Sequence, residues 1–268
     1  MPTQRVNDYE LSYAETGSGA PLLLIHGSLC DQRYWVPQMA PFGAGRRAIA
    51  VSLRRCWPEV WDGLGDGYSV AQHVDDLIAF IAALDAGPVD LLGHSRGGHV
   101  ALRLALRAPQ LVRRLILAEP GGQPDASFGP RPGLDLQMTA ARTREAATLI
   151  AGGDVDGGLA LFVDGVSGMS IWQHMVPGFK RMARDNAHTL LGQQREAPMR
   201  YTRDELAGLA LPTLLVGGEL TPAPFPQLLD LLQAHIAGAQ RATIPAARHA
   251  MNLAAPAPFN AAVLAFLD

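Results

Sequence analysis

A serine flanked by glycines is the feature of this sequence that most directly suggests chemistry. The segment 93–98 reads Gly-His-Ser-Arg-Gly-Gly, follows the apolar run 89–92 and precedes a helix-like run, 99–108. On a sharp turn between a strand and a helix, a serine hydroxyl projects clear of the sheet at the positive end of the helix dipole. The pattern therefore predicts Ser95 as a nucleophile. The alternative is an ordinary glycine-rich turn with a solvent-facing serine.

A serine hydroxyl also needs a base within hydrogen-bonding reach before it can attack at neutral pH. The chain contains eight histidines. His249 follows a strand-like run, 242–244, through a short loop and precedes a helical pattern.

The elements that would position these groups are visible as strand-length apolar runs that alternate with helical patterns. The runs are 11–15, 21–25, 48–51, 89–92, 115–118, 214–216 and 242–244. The helical patterns are 70–84, 98–108, 227–236 and 256–267. Continuous apolarity indicates strands covered on both faces, so we expect a doubly wound, mostly parallel α/β sheet with 11–15 as an edge strand.

Residues 121–205 interrupt this alternation. They are rich in Gly, Met and Arg, and show helical patterns at 139–150 and 159–166 but no convincing strand. We therefore predict a core in two parts, 1–120 and 206–268, with a helical cap, 121–205, inserted after the sixth strand.

Composition narrows the class of protein. With 48% hydrophobic and 18% charged residues, the chain can bury a substantial core, and a net charge of −3 argues against nucleic-acid binding. No apolar run reaches the roughly 18 residues of a membrane span, and the N-terminus lacks a signal-peptide pattern. We expect a cytoplasmic protein without membrane association. Cys30 and Cys56 form no C-x-x-C pair, so no metal site is expected.

The motifs together resemble those of the α/β-hydrolase superfamily. The resemblance rests on His26-Gly27-Ser28 after an early strand, on the segment around Ser95, and on Arg248-His249. It covers most of the chain except the cap, and the family order of nucleophile, acid and histidine can be satisfied. The resemblance implies a catalytic triad with His249 as the base, because family members carry their catalytic histidine in a loop of this kind before a final helix. It also implies an oxyanion hole built from the backbone amides of Ser28 and Arg96. It implies no metal ion and no organic cofactor.

The acid of the triad departs from the common family pattern. Most members carry it in a G-x-x-D turn after the late strand, where this chain has Thr221 or, counted differently, Leu220. Some members instead place it after the strand that follows the nucleophile's helix, and here that residue is Glu119. Pro120 favours an extended backbone at Glu119. We predict Glu119 as the acid, with Glu219 and Asp125 as alternatives.

The cap supplies the prediction for the substrate. Its large apolar side chains are Met138, Phe162, Met169, Trp172, Met175 and Phe179. They line an apolar pocket or form the core of a helical cap; Trp172, Met175 and Phe162 are the predicted pocket residues.

We expect a small-molecule substrate with an apolar part, a carboxylic ester or lactone cleaved through an acyl-enzyme on Ser95. Carbon–carbon bond hydrolysis, perhydrolysis and a ligand receptor with little turnover are the alternatives. Monomer and homodimer both stay open.

Overall fold

The computed structural model describes residues 1–130, 134 and 136–268. Its strands are β1 (Thr3–Val6), β2 (Tyr9–Thr16), β3 (Pro21–Ile25), β4 (Arg47–Val51), β5 (Val89–His94), β6 (Val112–Ala118), β7 (Gln123–Pro124), β8 (Arg200–Tyr201), β9 (Thr213–Gly218) and β10 (Gln240–Ile244). Its α-helices are α1 (Val36–Gly43), α2 (Val70–Leu84), α3 (Arg96–Arg107), α4 (Leu136–Ala151), α5 (Val155–Ser167), α6 (Pro177–Asp185), α7 (Thr189–Arg195), α8 (Arg203–Ala207), α9 (Phe225–His235), α10 (Met251–Ala254) and α11 (Pro256–Leu267).

The main sheet has the strand order β1-β2-β4-β3-β5-β6-β9-β10. The pairs β1–β2 and β2–β4 are antiparallel, whereas β4, β3, β5, β6, β9 and β10 pair in parallel. Helices connect the parallel strands, as parallel pairing requires. The predicted doubly wound, mostly parallel α/β sheet is therefore confirmed.

The central strands explain the continuous apolar runs. All five residues of β3 are buried, and successive side chains of a strand point to opposite faces. Leu23 and Ile25 join the hydrophobic cluster on one face of the sheet. Leu22 and Leu24 join the cluster on the other face. Each fully buried side chain of this type stabilises the fold by about 1.5–3 kcal/mol relative to exposure.

The prediction of an edge strand at 11–15 is wrong. This segment lies in β2, which has neighbours on both sides, and the edge is formed by β1. Three of the four residues of β1, Thr-Gln-Arg-Val, are not buried. This strand therefore needs no run of apolar residues, and its sequence has none. A polar strand of this kind gives no signal to a search for apolar runs.

Between β6 and β9 lie the cap helices α4–α7. Helices α4 and α5 pack on each other and α4 packs on α7, around a third hydrophobic cluster that includes Leu29 from the loop after β3. The expectation that 121–205 holds no strand is wrong in one detail, because β7 and β8 form a two-residue parallel pair. Helix α8 crosses the predicted boundary at 205; the division into core and cap segments stays a prediction.

Candidate active site

Ser95 occupies the turn between β5 and α3. Its backbone has φ 54° and ψ −121°, a conformation that non-glycine residues adopt only where the surroundings impose it. Three backbone hydrogen bonds do so: Ser95 N–H donates to Ala118 O (3.0 Å), and Ser95 O accepts from Gly121 (2.8 Å) and His99 (3.1 Å). The predicted strand–turn–helix context of Ser95 is present.

The turn needs glycine because backbone segments approach closely. A Cβ atom on Gly97 would lie 2.3 Å from the carbonyl oxygens of Ile25 and His26. A Cβ atom on Gly27 would lie 3.1 Å from Ser95 Cβ. Without side chains at these positions, the loop after β3 rests directly on the serine turn.

Glu119 and His249 form a buried pair beside this turn. His249 Nδ1 lies 2.6 Å from Glu119 Oε2, and Glu119 is 1% exposed. Glu119 Oε1 accepts a hydrogen bond from Gly218 N–H at 2.7 Å. The carboxylate is thus held at both oxygens, so that one of them faces the imidazole.

The backbone at Glu119 differs from its prediction. Pro120 favours an extended conformation, but Glu119 has φ 42°. Glu119 N–H still continues the sheet by donating to Val216 O (3.0 Å), and its carboxylate is fixed by Gly218 and His249. These contacts over-determine the residue and outweigh the local preference set by Pro120.

The alternative acids lie elsewhere. Glu219 is exposed, and its Oε2 accepts from Ala246 N–H at 2.8 Å. Asp125 caps the turn 126–128 by accepting from Ser127 N–H at 2.9 Å. Thr221, which occupies the common acid position, is buried and its hydroxyl has no hydrogen-bond partner within the described residues. Of these candidates, Glu119 is the one that contacts His249.

Two neighbours of His249 were not selected from the sequence. His94 Nε2 lies 2.8 Å from His249 O; because a carbonyl only accepts, His94 donates from Nε2. Phe225 stacks on the imidazole of His249, with ring centroids 4.0 Å apart. Burial, and then the charge on His249, hold the pKa of His94 well below its ordinary value. A neutral His94 thus fixes the His249 backbone without adding a charge beside it.

The predicted oxyanion donors lie at the carboxyl ends of β3 and β5. Arg96 begins α3, and the first four N–H groups of a helix lack partners within it. Ser28 follows β3 in a loop braced by His26, whose Nε2 accepts from Leu53 N–H (3.1 Å) and whose Nδ1 donates to Gly27 O (2.8 Å). Burial lowers the pKa of His26, which keeps this ring neutral.

A cavity of about 430 Å³ lies over Ser95, between the core and the cap. Its walls include the core residues Ser28, Arg96, His99, Phe225 and Leu228, and the cap residues Thr143, Arg144, Phe162, Val166, Gln193, Gln194 and Glu196. Ser28 and Arg96, the residues of both predicted oxyanion donors, therefore line the same cavity as Ser95.

Of the three predicted pocket residues, Phe162 lines this cavity. Trp172 and Met175 are not on its wall. Trp172 is buried in the hydrophobic cluster of the cap, with Lys180 Nζ 5.6 Å from its ring centroid. Met175 is half-buried where the short helix 172–174 ends. The cap needs a core of its own, and apolar composition alone does not separate that core from a pocket wall.

Within the described parts of the chain, no cluster of three or more His, Cys, Asp or Glu side chains is placed to hold a metal ion. Among the same residues, no helix combines the length and the apolarity needed to cross a membrane. Cys30 and Cys56 are both buried free thiols.

Comparison with known proteins gives both a family and relatives. The model of the Alpha/beta hydrolase family matches residues 22–262. A 2-hydroxymuconate semialdehyde hydrolase from Pseudomonas sp. (strain CF600) is 37% identical over 133 residues, which are 45% of this chain and 42% of that protein. A putative carbamate hydrolase from Rhizobium rhizogenes (strain K84) is 26% identical over 269 residues, 97% of each chain.

The crystal structure of the enol-lactonase from Burkholderia xenovorans LB400 is similar over 99% of both chains, with a TM-score of 0.80 and 20% sequence identity. At this identity the likeness concerns the fold. The match with the Pseudomonas relative covers less than half of that protein's length.

Proposed function

Because the chain belongs to the alpha/beta hydrolase family, we propose that it is a serine hydrolase that cleaves a small-molecule carboxylic ester or lactone. Ser95 is the nucleophile, His249 the general base, and Glu119 the acid that orients the base. The observation that carries this proposal is the buried 2.6 Å contact between His249 Nδ1 and Glu119 Oε2 beside the strained Ser95.

In the first half of the reaction, Ser95 Oγ attacks the acyl carbonyl while His249 Nε2 takes the hydroxyl proton. The tetrahedral oxyanion is stabilised by the N–H groups of Ser28 and Arg96; removal of one such donor typically costs about 3 kcal/mol of transition-state stabilisation. Glu119 keeps the proton of neutral His249 on Nδ1 and stabilises the imidazolium that forms. The C–O bond to the leaving group then breaks, and His249 returns its proton to the leaving oxygen.

In the second half, a water molecule replaces the alcohol. His249 takes a proton from this water, the hydroxide attacks the ester carbonyl on Ser95, and the same oxyanion donors act again. The C–O bond to Ser95 breaks, the serine recovers its proton from His249, and the carboxylic acid leaves. A lactone follows the same path, with its own hydroxyl as the leaving group.

The cavity supports a substrate with an apolar part. Phe162 and Val166 of the cap and Phe225 and Leu228 of the core supply apolar wall. Its volume of about 430 Å³ lies within the roughly 300–1,000 Å³ of typical small-molecule sites.

Hydrolysis of a short-chain p-nitrophenyl ester by the wild type and by Ser95→Ala, side by side, tests the proposal. We expect turnover by the wild type and its loss in Ser95→Ala, together with acylation of Ser95 detected by mass spectrometry. Turnover that survives Ser95→Ala would contradict the proposal, because the acyl group would then travel by another route.

Carbon–carbon bond hydrolysis is the second candidate, favoured by the 37% identity with the 2-hydroxymuconate semialdehyde hydrolase. The two candidates separate when 2-hydroxymuconate semialdehyde and matched esters and lactones are compared by kcat/KM. A preference for the semialdehyde by two orders of magnitude or more, about 3 kcal/mol, would favour the second candidate over the first.

A further inference from the structure

The end of α7 contacts both residues whose backbone amides are assigned to the oxyanion hole. Ser28 Oγ donates to Gln193 Oε1 at 2.7 Å. The guanidinium of Arg96 donates to both carboxylate oxygens of Glu196, with Nη2 2.9 Å from Oε2. Glu196 N–H still donates to Gly192 O (3.1 Å), so the helical path reaches Glu196. Residues three apart on a helix are neighbours, and one cap segment therefore bridges the loops after β3 and β5.

In the Arg96–Glu196 pair, Arg96 is buried and Glu196 is largely shielded from solvent. The side chain of Arg96 is 6% exposed and that of Glu196 14%. The guanidinium carbon lies 4.5 Å from the ring centroid of Tyr68, which covers the cation. A charge buried to this degree depends on its partner, because the loss of that partner leaves the remaining charge uncompensated. Glu196 therefore fixes the position of the Arg96 side chain.

Glu196 is in turn fixed by the core. Its Oε2 accepts from Val70 N–H at 3.0 Å, at the first residue of α2. The positive end of the α2 dipole favours a carboxylate at this point. One carboxylate therefore joins three segments: the nucleophile turn, the start of α2 and the end of α7.

We propose that Gln193 and Glu196 are positioning residues that set the separation of the two oxyanion amides, an inference that rests on the proposed serine hydrolase function. The Arg96 amide follows the strained backbone of Ser95 directly, and such a conformation persists only when its surroundings hold it. Glu196 holds it through the Arg96 side chain, and Gln193 holds the opposite donor through Ser28. Cap and oxyanion hole then act as one unit.

Positioning and simple stabilisation make different predictions, and two variants separate them. Glu196→Gln keeps the shape of the side chain but leaves Arg96 without a counter-charge. The double variant Arg96→Met/Glu196→Met replaces the pair by apolar groups, a change that is often neutral or stabilising for a buried ion pair. Glu205→Gln is the matched control, because it breaks another Arg–Glu pair of the same helix α3, that with Arg103, away from the cavity.

The measurements are the melting temperature, kcat and KM for a p-nitrophenyl ester, and the inhibition constant of a boronic acid that forms a tetrahedral adduct on serine. A chromogenic phosphonate that reacts with the serine counts active sites, so that kcat is expressed per intact site. Oxyanion stabilisation acts on the transition state, so a misplaced donor lowers kcat more than it changes KM.

For Glu196→Gln we expect kcat per site to fall about 10- to 100-fold, part of the loss seen when one oxyanion donor is removed. The boronate inhibition constant should rise by the same factor, while KM changes by less than about threefold. The double variant should regain the melting temperature of the wild type without regaining kcat. Glu205→Gln should leave both the melting temperature and kcat per site close to those of the wild type, because Glu205 is partly exposed and ion pairs of this kind contribute little to stability.

Wild-type kcat per site in both Glu196→Gln and the double variant would overturn the positioning role. A failure of the proposed function looks different. In that case the phosphonate would not label Ser95 in the wild type, or Ser95→Ala would retain turnover. When labelling and Ser95 dependence are both normal, the kcat values bear on the positioning role alone.

Discussion

Replacement of Glu119 by glutamine provides the sharpest test of the candidate triad, because the structure dictates how the new amide must sit. Gly218 N–H donates to Oε1 at 2.7 Å. An amide NH₂ group cannot accept that bond, so the glutamine oxygen stays at Gly218 and its NH₂ faces His249 Nδ1. A donor at this point forces Nδ1 to become an acceptor. The imidazole proton then moves to Nε2, the nitrogen that must take the proton of Ser95.

The expected loss follows from this tautomer change. The base is present in its unproductive form, and the imidazolium loses a carboxylate partner that lies 2.6 Å from Nδ1 and is shielded from solvent. In a Ser-His-Asp enzyme, the same acid-to-amide change lowers kcat about 10,000-fold. We expect about 1,000- to 10,000-fold here, or about 4–5.5 kcal/mol in activation free energy, with the melting temperature little changed.

The assay is kcat for a p-nitrophenyl ester from pH 6 to 10, normalised by active-site titration. Glu219→Gln is the matched control: this carboxylate is exposed and holds Ala246 N–H, not His249. We expect it to stay within about threefold of the wild type, as surface changes usually do.

The reasoning would be refuted if Glu119→Gln retained kcat within about tenfold of the wild type, since the wrong tautomer is incompatible with general-base catalysis. If Glu219→Gln alone lost several orders of magnitude, the acid would be Glu219.

Two further outcomes are expected. Burial holds the pKa of His99 at about 4, below its ordinary 6.5. As the pH drops, the unfolded chain therefore binds a proton at His99 before the folded chain does, and the free energy of unfolding decreases below pH 6.5. Between pH 7.5 and 5.0, the protonation of His99 lowers the free energy of unfolding by about 2 kcal/mol. Urea unfolding at the two pH values should therefore show a decrease that is smaller by this amount in His99→Gln than in the wild type. Equal decreases would contradict the burial argument. Phe162→Ala removes an aromatic ring from the cavity wall, so kcat/KM for p-nitrophenyl esters should shift towards longer acyl chains, whereas an unchanged chain-length profile would place the acyl group elsewhere.

The nucleophile turn was predictable because its chemistry is local. The strand, glycines and helix around Ser95 are contiguous in the sequence, and each glycine meets a close backbone contact in the structure. Glu119 was reached indirectly, since the common acid position holds Thr221 and the strand after α3 ends at a carboxylate. Its backbone could not be foreseen, because the contacts that impose φ 42° come from Gly218 and His249, which are distant in the chain.

The cap was less predictable for a physical reason. Phe162 and Trp172 are both large apolar residues, yet Phe162 lines the cavity whereas Trp172 fills the core of the cap. The hydrophobicity of a side chain predicts that it is buried, but it does not predict whether the side chain packs in a core or lines a cavity. Arg96 contacts Glu196, which lies 100 positions away in the sequence, and no local sequence pattern predicts a pairing at that distance.

The position of His249 after β10 determines when, during synthesis, the proposed triad can first be completed. The bonds that hold Ser95 in its strained turn come from Ala118, Gly121 and His99, all of which precede the cap helices in the chain. Ser95 and the proposed acid Glu119 therefore leave the ribosome within about 1–5 seconds of each other, whereas His249 follows Glu119 by 130 residues. At about 5–20 residues per second, the nascent chain then carries the proposed nucleophile without its proposed base for about 7–26 seconds. The proposed hydrolysis therefore requires that the cap and the last two strands have been made.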